Sequence, residues 1–374
     1  MNLELTKIQQ LISRSMSDFA KANLQPIAYE DDRSGRFPEE AIEEMAKNDF
    51  FNINVPQDCG GRGTDFYSVA LMAEEFGKAN GAAASIAMAH IVLAIDTIAR
   101  HGTLEQKEKY IPLLKKGEKL GGYAFAESGA SLASGEEKVI ASRSGQDYLL
   151  TGKKNYVANG GVANIYIVIA QVSEEEGQNN ISAFIVEAEG VKVTRNIDKL
   201  GLRAFPTTEL EFNNTKAQLL GTENQGLKIA AEIQARFDIA SAAIAIGIGE
   251  AALEETSNHC KTRIQFGAPI GKLQAVQWML AEMATNLHTL KTLTYQGVAC
   301  VDSNGDYTKE ATFIKMFARK AAFEIGTNAV QIHGGTGYSR EANIERYFRD
   351  LKGLFLVENI SEYPEKIIAG NILK

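Results

Sequence analysis

The sequence predicts an α+β protein, mostly α, in which a small β domain separates two helical domains. Its 374 residues are 45% hydrophobic and 23% charged, which suits a folded protein with several cores rather than a disordered chain. Apolar residues recur at helical spacing over residues 1–119 and again over residues 221–374. Over residues 120–220 they form short β-rich runs separated by turn residues. These three ranges are the predicted domains.

The first domain is predicted to be helical. An apolar period extends from Phe66 to His101, and few strand signals precede it. Thr103 and Gln106 then have the spacing of a capping box, in which each side chain satisfies a free backbone N–H of the other residue. We therefore expect a helix to begin at Leu104.

The second domain is predicted to be a small β domain. The expected strands are Tyr148–Thr151, Ile165–Ala170, Ile181–Val186, Val191–Thr194 and Leu210–Phe212. Asn159, Gly160 and Gly161 supply a turn between the first two strands, because asparagine and glycine tolerate the backbone angles of tight turns. The helical period returns after this domain.

The third domain is predicted to be a bundle of long helices. The expected helices are Leu227–Thr262, Leu273–Asp302, Thr308–Ile332, Glu341–Phe348 and Ser361–Ile372. Gly247 and Gly249 resemble part of a dinucleotide-binding fingerprint, but no strand precedes them and no acidic residue lies about 20 positions later, where Lys272 stands. We expect these glycines to allow close helix packing.

Charge and composition exclude several classes of function. A formal charge of −8 leaves no basic surface for nucleic acid. Three scattered cysteines and five histidines show no metal-site or disulfide spacing. Residues Ile239–Leu253 are too few to span a bilayer and predict a buried helix. With no signal-peptide pattern at the start, we expect a cytoplasmic protein without membrane insertion.

The last quarter of the chain carries the residues that point to chemistry. Residues 331–338 read QIHGGTGY, and Gly334 and Gly335 let a backbone turn present N–H groups to an anion such as pyrophosphate. The same glycines suit a turn that ends a helix. Glu358 follows a run of four apolar residues, which would raise the pKa of its carboxyl and suit it to remove a weakly acidic proton. A surface glutamate beside the last helix is the other interpretation.

These motifs resemble the acyl-CoA dehydrogenase family along nearly the whole chain. Residues 101–114 read HGTLEQKEKYIPLL and residues 263–270 read RIQFGAPI, each similar to a family motif. Residues 199–203, KLGLR, resemble the KxGxR turn of the family, and Arg349-Asp350 resembles its basic-acidic pair. The resemblance implies an N-terminal helical domain, a middle β-barrel domain and a C-terminal four-helix bundle.

The resemblance also implies an FAD site shared between subunits of a homodimer or homotetramer. Its pyrophosphate and adenine end would be held by Arg263, Phe266, Gln274, Gln331, Gly334 and Gly335. Its ring would contact Ala126, Tyr156 and Ala158, and Glu358 would be the catalytic base. The family's hydroxyls are absent at Ala126, Ala158 and Ile360. The residues expected beside the flavin ring therefore differ from the family pattern, whereas those expected beside the pyrophosphate match it.

Three residues are predicted to contact the substrate. Ser131 lies in the segment that corresponds to the family's TEPxAGSD motif. Asp238 stands where the family usually has arginine, and Arg236 is two positions earlier. Asp238 would either raise the pKa of a nearby carboxyl or bind a cationic or hydroxylated substrate.

The function implied is FAD-dependent α,β-dehydrogenation of an acyl thioester, with acyl-CoA as the default substrate. Glu358 would take the α-proton, the flavin would accept the β-hydride, and an electron-transfer flavoprotein would be the next acceptor. One alternative is a thioester carried by a carrier protein. A second alternative is a non-redox member of the fold that binds flavin weakly or not at all. The missing hydroxyls are the reason to consider it.

Overall fold

The computed structural model describes residues 5–127, 138–172, 180–355 and 364–373. The first part is helical. Its helices are α1 (Lys7–Asn23), α2 (Ala28–Ser34), α3 (Glu39–Lys47), α4 (Phe66–Ala79), α5 (Gly81–Met88), α6 (Thr97–His101) and α7 (Leu104–Lys115), with short 3₁₀ turns at Phe50–Asn52 and Gln57–Cys59. The capping box predicted at Thr103 and Gln106 is confirmed, and α7 begins at Leu104.

The apolar run from Phe66 to His101 is divided rather than continuous. Asn80 is extended, with φ −155° and ψ 100°, so it ends α4, and its side chain accepts a hydrogen bond from the N–H of Ala83 in α5. The next turns, Ala89–Asp96, are π-helical. By length and composition Gly81–His101 could span a membrane, but its apolar window is wholly buried inside the protein.

His90 connects this helical part to the first strand. The ring is fully buried and accepts a hydrogen bond from the Gly121 N–H at Nδ1, at 2.9 Å. Nε2 therefore carries the proton and donates to the Leu114 carbonyl at 3.0 Å. Burial lowers the pKa of His90 to about 4, so the ring is neutral at ordinary pH.

In the described residues of the middle part, seven strands form one sheet that closes into a barrel. Its strands are β1 (Gly121–Ala124), β2 (Ile140–Ser144), β3 (Asp147–Ala158), β4 (Ile165–Val172), β5 (Ile181–Glu187), β6 (Val191–Asn196) and β7 (Thr207–Leu220). Their order is β1-β3-β2-β4-β5-β7-β6, and a further pairing of β3 with β7 closes the ring. Sequence patterns missed β1 and β2, because β1 is short and glycine-rich and β2 is mostly exposed.

The last part consists of long packed helices. These are α8 (Gly226–Thr262), α9 (Gln274–Asp302), α10 (Thr308–His333), α11 (Gly335–Tyr338), α12 (Ile344–Gly353) and α13 (Pro364–Ile372), with a small hairpin of β8 (Ile264–Gln265) and β9 (Ala268–Pro269). The helix predicted from Glu341 to Phe348 begins later and continues to Gly353, because Ile344 and Leu351 extend its buried face. The buried helix predicted at Ile239–Leu253 is confirmed inside α8. The predicted fold class, α+β and mostly α, is confirmed.

Small residues allow α8 to pack closely against α4, as predicted. A Cβ on Gly247 would lie 2.0 Å from the Glu74 carbonyl oxygen, and one on Gly77 would lie 2.7 Å from the Ile244 carbonyl oxygen. Backbone atoms cannot move aside as side-chain ends can. The two glycines therefore set the distance between the N-terminal helical part and the long helix of the C-terminal part.

Gly247→Ala is expected to lower the free energy of unfolding by about 1–3 kcal/mol, the usual range for overpacking in a close-packed interior. Gly249→Ala is the matched control, because it lies in the same helix and its Cβ would meet only side-chain atoms, Leu287 Cδ1 at 3.1 Å and Ile325 Cδ1 at 3.6 Å being the nearest. Both changes gain the same helix propensity, so their difference reports the contact with α4. Urea unfolding followed by circular dichroism measures it. Equal effects of the two changes would contradict the packing described here.

All three parts of the chain meet at Arg349. Its guanidinium binds both carboxylate oxygens of Asp32 in α2, at 2.9 and 2.6 Å, and donates to the Leu200 carbonyl at 2.9 Å. Glu345, one turn earlier in α12, accepts two further bonds at 2.5 and 2.9 Å. One side chain thus joins the first helical part, the turn after the barrel strand β6, and the last helical part.

Asp350 strengthens the same junction. Its carboxylate accepts a hydrogen bond from the Leu202 N–H at 2.6 Å. Burial raises the pKa of Asp350 to about 6, although the Arg346 charge and the Leu202 N–H act in the opposite direction. A Cβ on Gly201 would lie 2.1 Å from the Arg349 carbonyl oxygen, so only glycine allows this approach. The KLGLR and Arg349-Asp350 motifs, distant in sequence, form one structural contact.

Candidate functional site

An exposed hairpin follows the long helix α8 and carries two of the predicted FAD ligands. The Ile270 N–H donates to the backbone carbonyl of Arg263 at 2.9 Å, and this bond closes the hairpin. Phe266 and Gly267 turn the chain with φ values of 53° and 78°, in the left-handed region. The Phe266 side chain is 93% exposed. Gln274, also exposed, begins α9 just beyond the hairpin.

A pair of stacked histidines brings this hairpin to the glycine loop. The rings of His259 and His333 are 4.2 Å apart, and His333 Nδ1 contacts the Ala329 carbonyl at 2.8 Å. Burial, and then the charges of His333 and Arg263, lower the pKa of His259. The ends of α8 and α10 therefore lie side by side, a contact that sequence patterns did not indicate because no local spacing connects the two residues.

The grouped residues fit an extended anion such as a pyrophosphate. Gly334 has φ 61° and ψ −137°, which only glycine adopts readily, and a Cβ on Gly334 or Gly335 would meet no atom within 4 Å. Within the described ranges, Arg263 has no carboxylate at ion-pair distance, and its side chain is exposed. Gln331 is exposed in the last turn of α10. The neighbouring ends of α8 and α10 thus carry an exposed cation, an exposed amide and open glycine backbone, the kinds of group that bind an anion.

The residues predicted to contact the flavin ring lie on the barrel. The Asn155 N–H donates to the Ala126 carbonyl at 2.9 Å, which places Ala126 beside Tyr156. Tyr156 has φ 52°, lies in the register shift between Lys154 and Val157, and is 45% exposed. The irregularity turns its ring outward. The side chain of Ala158 is fully buried, so it does not share this exposed surface.

A buried ion pair supports the end of β1. Lys154 is fully buried, and its Nζ lies 2.6 Å from Glu127 Oε1 and 2.9 Å from the Phe125 carbonyl. Glu127 also accepts the Val139 N–H at 3.0 Å. The pair fixes the chain on either side of residues 128–137, the segment that holds Ser131, which lies outside the described residues.

The residues predicted to hold the pyrophosphate and those predicted to contact the flavin ring lie on different parts of the described structure. Across residues 5–127, 138–172, 180–355 and 364–373, no hydrogen bond or ion pair joins Arg263 or Gly334 to Tyr156 or Ala126. One group ends the helical bundle and the other lies on the barrel. That a second subunit brings the two sets together stays a prediction.

Arg236 is buried with protein partners. Its Nε lies 2.5 Å from Asp96 Oδ2 at the end of the π-helical turns, and both side chains are 6% exposed. The guanidinium also stacks over the Phe66 ring, 4.3 Å from its centroid. In the described structure this charge holds α4, α8 and the π-helical segment together, and its role toward a substrate stays a prediction.

Asp238 is likewise buried and paired. Lys315 Nζ lies 3.0 Å from Oδ1, and Gln234 donates to Oδ1 at 2.8 Å. Burial raises the pKa of Asp238, while the Lys315 charge acts to lower it. Asp238 therefore has a cation, Lys315, as its partner inside the protein. Its contact with substrate stays a prediction.

The predicted base, Glu358, lies outside the described residues, as does Ile360. The described residues on both sides are anchored. Leu354 and Phe355 are 5% and 4% exposed, and Pro364, which begins α13, is buried. The chain that enters and leaves this segment is therefore fixed to the helical part.

Comparison with protein families decides the relationship. The model described as "Acyl-CoA dehydrogenase, N-terminal domain" matches residues 6–118, the middle-domain model matches residues 122–215, and the C-terminal-domain model matches residues 224–373. The chain belongs to the acyl-CoA dehydrogenase family. Members of this family bind FAD, and the protein is an acyl-CoA dehydrogenase-like flavin oxidoreductase that acts on a CH–CH group.

Relatives of the same length include both dehydrogenases and reductases. The short-chain specific acyl-CoA dehydrogenase of Clostridium acetobutylicum is 35% identical over 100% of both chains. The acryloyl-CoA reductase (NADH) of Anaerotignum propionicum is 35% identical over 100% of this chain and 96% of its own. A caffeyl-CoA reductase–Etf complex subunit of Acetobacterium woodii is 34% identical over 98% of both.

Solved structures of this acyl-CoA dehydrogenase fold superpose closely. Butyryl-CoA dehydrogenase from Megasphaera elsdenii has a TM-score of 0.95 at 34% identity over 100% of both chains. The FAD complex of PigA has a TM-score of 0.93 at 25% identity over 100% of this chain and 99% of that one. The chemistry of the family is therefore FAD-dependent oxidation or reduction of acyl-CoA compounds. The comparisons do not specify which acyl group this protein uses.

Proposed function

We propose that this protein dehydrogenates an acyl thioester between its α and β carbons, with FAD held between two subunits. The observation that carries the proposal is the His259–His333 ring contact, which puts the end of α8, followed by Arg263, beside the end of α10, followed by the open Gly334–Gly335 backbone. These two ends offer positive charge and open backbone to an anion, and the family binds FAD. When bound, FAD supplies the acceptor for the hydride that leaves the β carbon.

Glu358 is the proposed base. A thioester α-proton is weakly acidic, so its removal needs a carboxylate held at the α carbon. Leu354 and Phe355, just before this segment, are apolar and buried, and a carboxyl enclosed by residues of this kind would have a raised pKa. Ala126 and Ala158 have no hydroxyl to contact the flavin ring or the thioester. Backbone groups, Tyr156 and the region of Glu127 would orient them instead.

A homodimer is the proposed minimal unit, and a homotetramer would contain two of them. Large apolar side chains are exposed around the predicted pyrophosphate surface: Ile264 is 61% exposed, Phe266 93%, Trp278 62% and Tyr338 87%. Trp278 is therefore not a core residue, and its exposed ring is available to an interface. Exposed apolar clusters of this kind mark interaction surfaces. A partner's barrel would bring Tyr156 to this surface.

The substrate is proposed to be acyl-CoA, and an electron-transfer flavoprotein is proposed as the electron acceptor. The name of the Acetobacterium woodii relative includes Etf, which supports that partner. Relatives named as reductases favour the reverse direction as a second candidate, because the same base and flavin can return a proton and hydride to an enoyl thioester. A carrier-protein thioester also stays open, and one structural relative is a prolyl acyl carrier protein oxidase.

Arg263→Gln is expected to weaken FAD binding about 10- to 100-fold, because a hydrogen bond to a charged group is worth about 1.5–3 kcal/mol. Titration of apoprotein with FAD, followed by quenching of flavin fluorescence, measures the dissociation constant. Arg195→Gln is the matched control, since Arg195 is an exposed arginine on the barrel strand β6.

The outcomes separate the hypotheses. Weaker binding in Arg263→Gln alone supports the proposed pyrophosphate surface. Tight FAD binding that neither substitution alters would move the cofactor elsewhere on the protein. A wild-type protein that binds no FAD would favour the non-redox alternative.

A further inference from the structure

A cavity of about 600 Å³ lies between the end of α2 and one end of the barrel, and this volume is within the range of small-molecule sites. Phe37, Val162 and Phe205 supply apolar walls. Lys199 and Arg203 supply positive charge. None of these five residues belongs to the sets predicted to bind FAD or substrate, so the proposed function gives the cavity no role.

The charges that line the cavity do not cancel. They are those of Asp198, Lys199 and Arg203. Arg203 Nη1 lies 3.2 Å from Asp198 Oδ1, and the Asp198 side chain is 91% exposed, so these two charges pair with each other close to solvent. In the described part of the chain, no carboxylate lies at ion-pair distance from Lys199. The cavity therefore has one positive charge in excess.

Lys199 is held in place as an ammonium group. It is half-buried, and its Nζ donates to the Phe205 carbonyl at 2.7 Å and lies 6.0 Å from the centre of the Phe205 ring. Both contacts favour the charged form. The described contacts use one of the three N–H donors of the ammonium group. Arg349 and Asp350 fix the turn that follows Lys199, so a ligand would meet a cation that is already ordered.

The protein does not offset the cost of burying this cation. Burial is the main cause that lowers the pKa of Lys199 to about 8, although two nearby carboxylates act to raise it. The fully buried lysines have direct partners, because Lys154 lies 2.6 Å from the Glu127 carboxylate and Lys315 lies 3.0 Å from that of Asp238. An anion bound beside Lys199 would supply the counter-charge that the chain does not.

We propose that this cavity binds a small carboxylate whose body is aromatic or similarly bulky and apolar. The bound carboxylate accepts charge-assisted hydrogen bonds from Lys199, and its body packs against Phe37, Val162 and Phe205. One excess positive charge beside apolar side chains suits a monoanion better than a phosphate with two negative charges. The ligand contacts both the first helical part and the barrel. The proposal requires neither FAD nor a thioester.

The test is isothermal titration calorimetry of the full-length protein with 1-naphthaleneacetate. The uncharged counterpart is 2-(1-naphthyl)ethanol, which has the same aromatic body and a hydroxymethyl group in place of the carboxylate. Lys199→Gln removes the proposed counter-charge. Lys192→Gln is the matched control, because it makes the same change of net charge at an exposed lysine of β6 that pairs with Glu211. Asn196→Asp, at the end of β6, adds a carboxylate to the cavity lining without changing the size of the side chain.

The wild-type protein is expected to bind 1-naphthaleneacetate about 10- to 100-fold more tightly than the alcohol, the usual contribution of a hydrogen bond to a charged group. Lys199→Gln should remove this preference, and Asn196→Asp should weaken binding of the carboxylate alone. Lys192→Gln should change neither affinity.

A wild-type protein that binds the carboxylate no more tightly than the alcohol would overturn the proposal, as would a carboxylate affinity that Lys199→Gln leaves unchanged. If Lys199→Gln does not fold, Asn196→Asp decides, and an unchanged carboxylate affinity in that variant has the same meaning. Since the readout is the heat of binding, a protein without flavin or dehydrogenase activity gives the same result.

Discussion

Arg349→Leu is expected to lower the free energy of unfolding by about 3–5 kcal/mol, the usual effect of removing one partner of a buried ion pair. The substitution leaves the Asp32 and Glu345 carboxylates, whose side chains are 14% and 15% exposed, without their cation. It also leaves the Leu200 carbonyl without its donor. Because these partners belong to different parts of the chain, the loss should loosen all three.

Urea unfolding followed by circular dichroism measures this effect. Arg349→Lys should recover only part of the stability, because lysine cannot reproduce the two parallel bonds to Asp32. Arg62→Leu is the control, since the Arg62–Asp49 pair is 55% and 44% exposed. Exposed pairs contribute about 0.2–1 kcal/mol. An Arg349→Leu effect as small as that of Arg62→Leu would show that the junction does not depend on this side chain.

Glu358→Gln is expected to slow thioester-dependent flavin reduction by about 10²- to 10⁴-fold, the contribution of a positioned general base. Glutamine has nearly the same size as glutamate but cannot take the α-proton. FAD binding should not change, because the residues proposed to hold FAD are elsewhere. Stopped-flow absorbance with butyryl-CoA measures the rate.

Glu365→Gln is the matched control for this substitution. Glu365 is an exposed glutamate in the first turn of α13, close to Glu358 in sequence and outside the proposed site. It should leave the rate unchanged. Equal rates for wild type and Glu358→Gln would assign proton removal to another group, and the buried Asp238 carboxylate would be the next to test.

The helices and most strands were predictable because each has a strong local signal. The Thr103 capping box and the buried stretch within α8 are examples, and both are confirmed. Strand β1 was missed because two of its four residues are glycine. The break at Asn80 was also missed, since apolar periodicity continues on both sides and only the extended backbone ends the helix.

The sequence also predicted only part of the candidate site. Motif resemblance identified Arg263 and the Gly334–Gly335 loop, but no local pattern links His259 to His333, whose ring contact brings these motifs together. The pairing of Lys315 with Asp238 could not be predicted from the sequence either, because the contact depends on how α8 and α10 pack. Long-range pairing of charges is decided by the packing of elements, and single-sequence spacing does not record it.

The most direct measurement is the visible absorption spectrum of the FAD-reconstituted protein mixed anaerobically with excess butyryl-CoA. Loss of the oxidised flavin band, with crotonyl-CoA formed in equal amount, is the result predicted for α,β-dehydrogenation. Two results together would contradict the proposed function. The bound flavin would stay oxidised with saturated thioesters of CoA or of a carrier protein, and the chemically reduced flavin would not be reoxidised by enoyl thioesters.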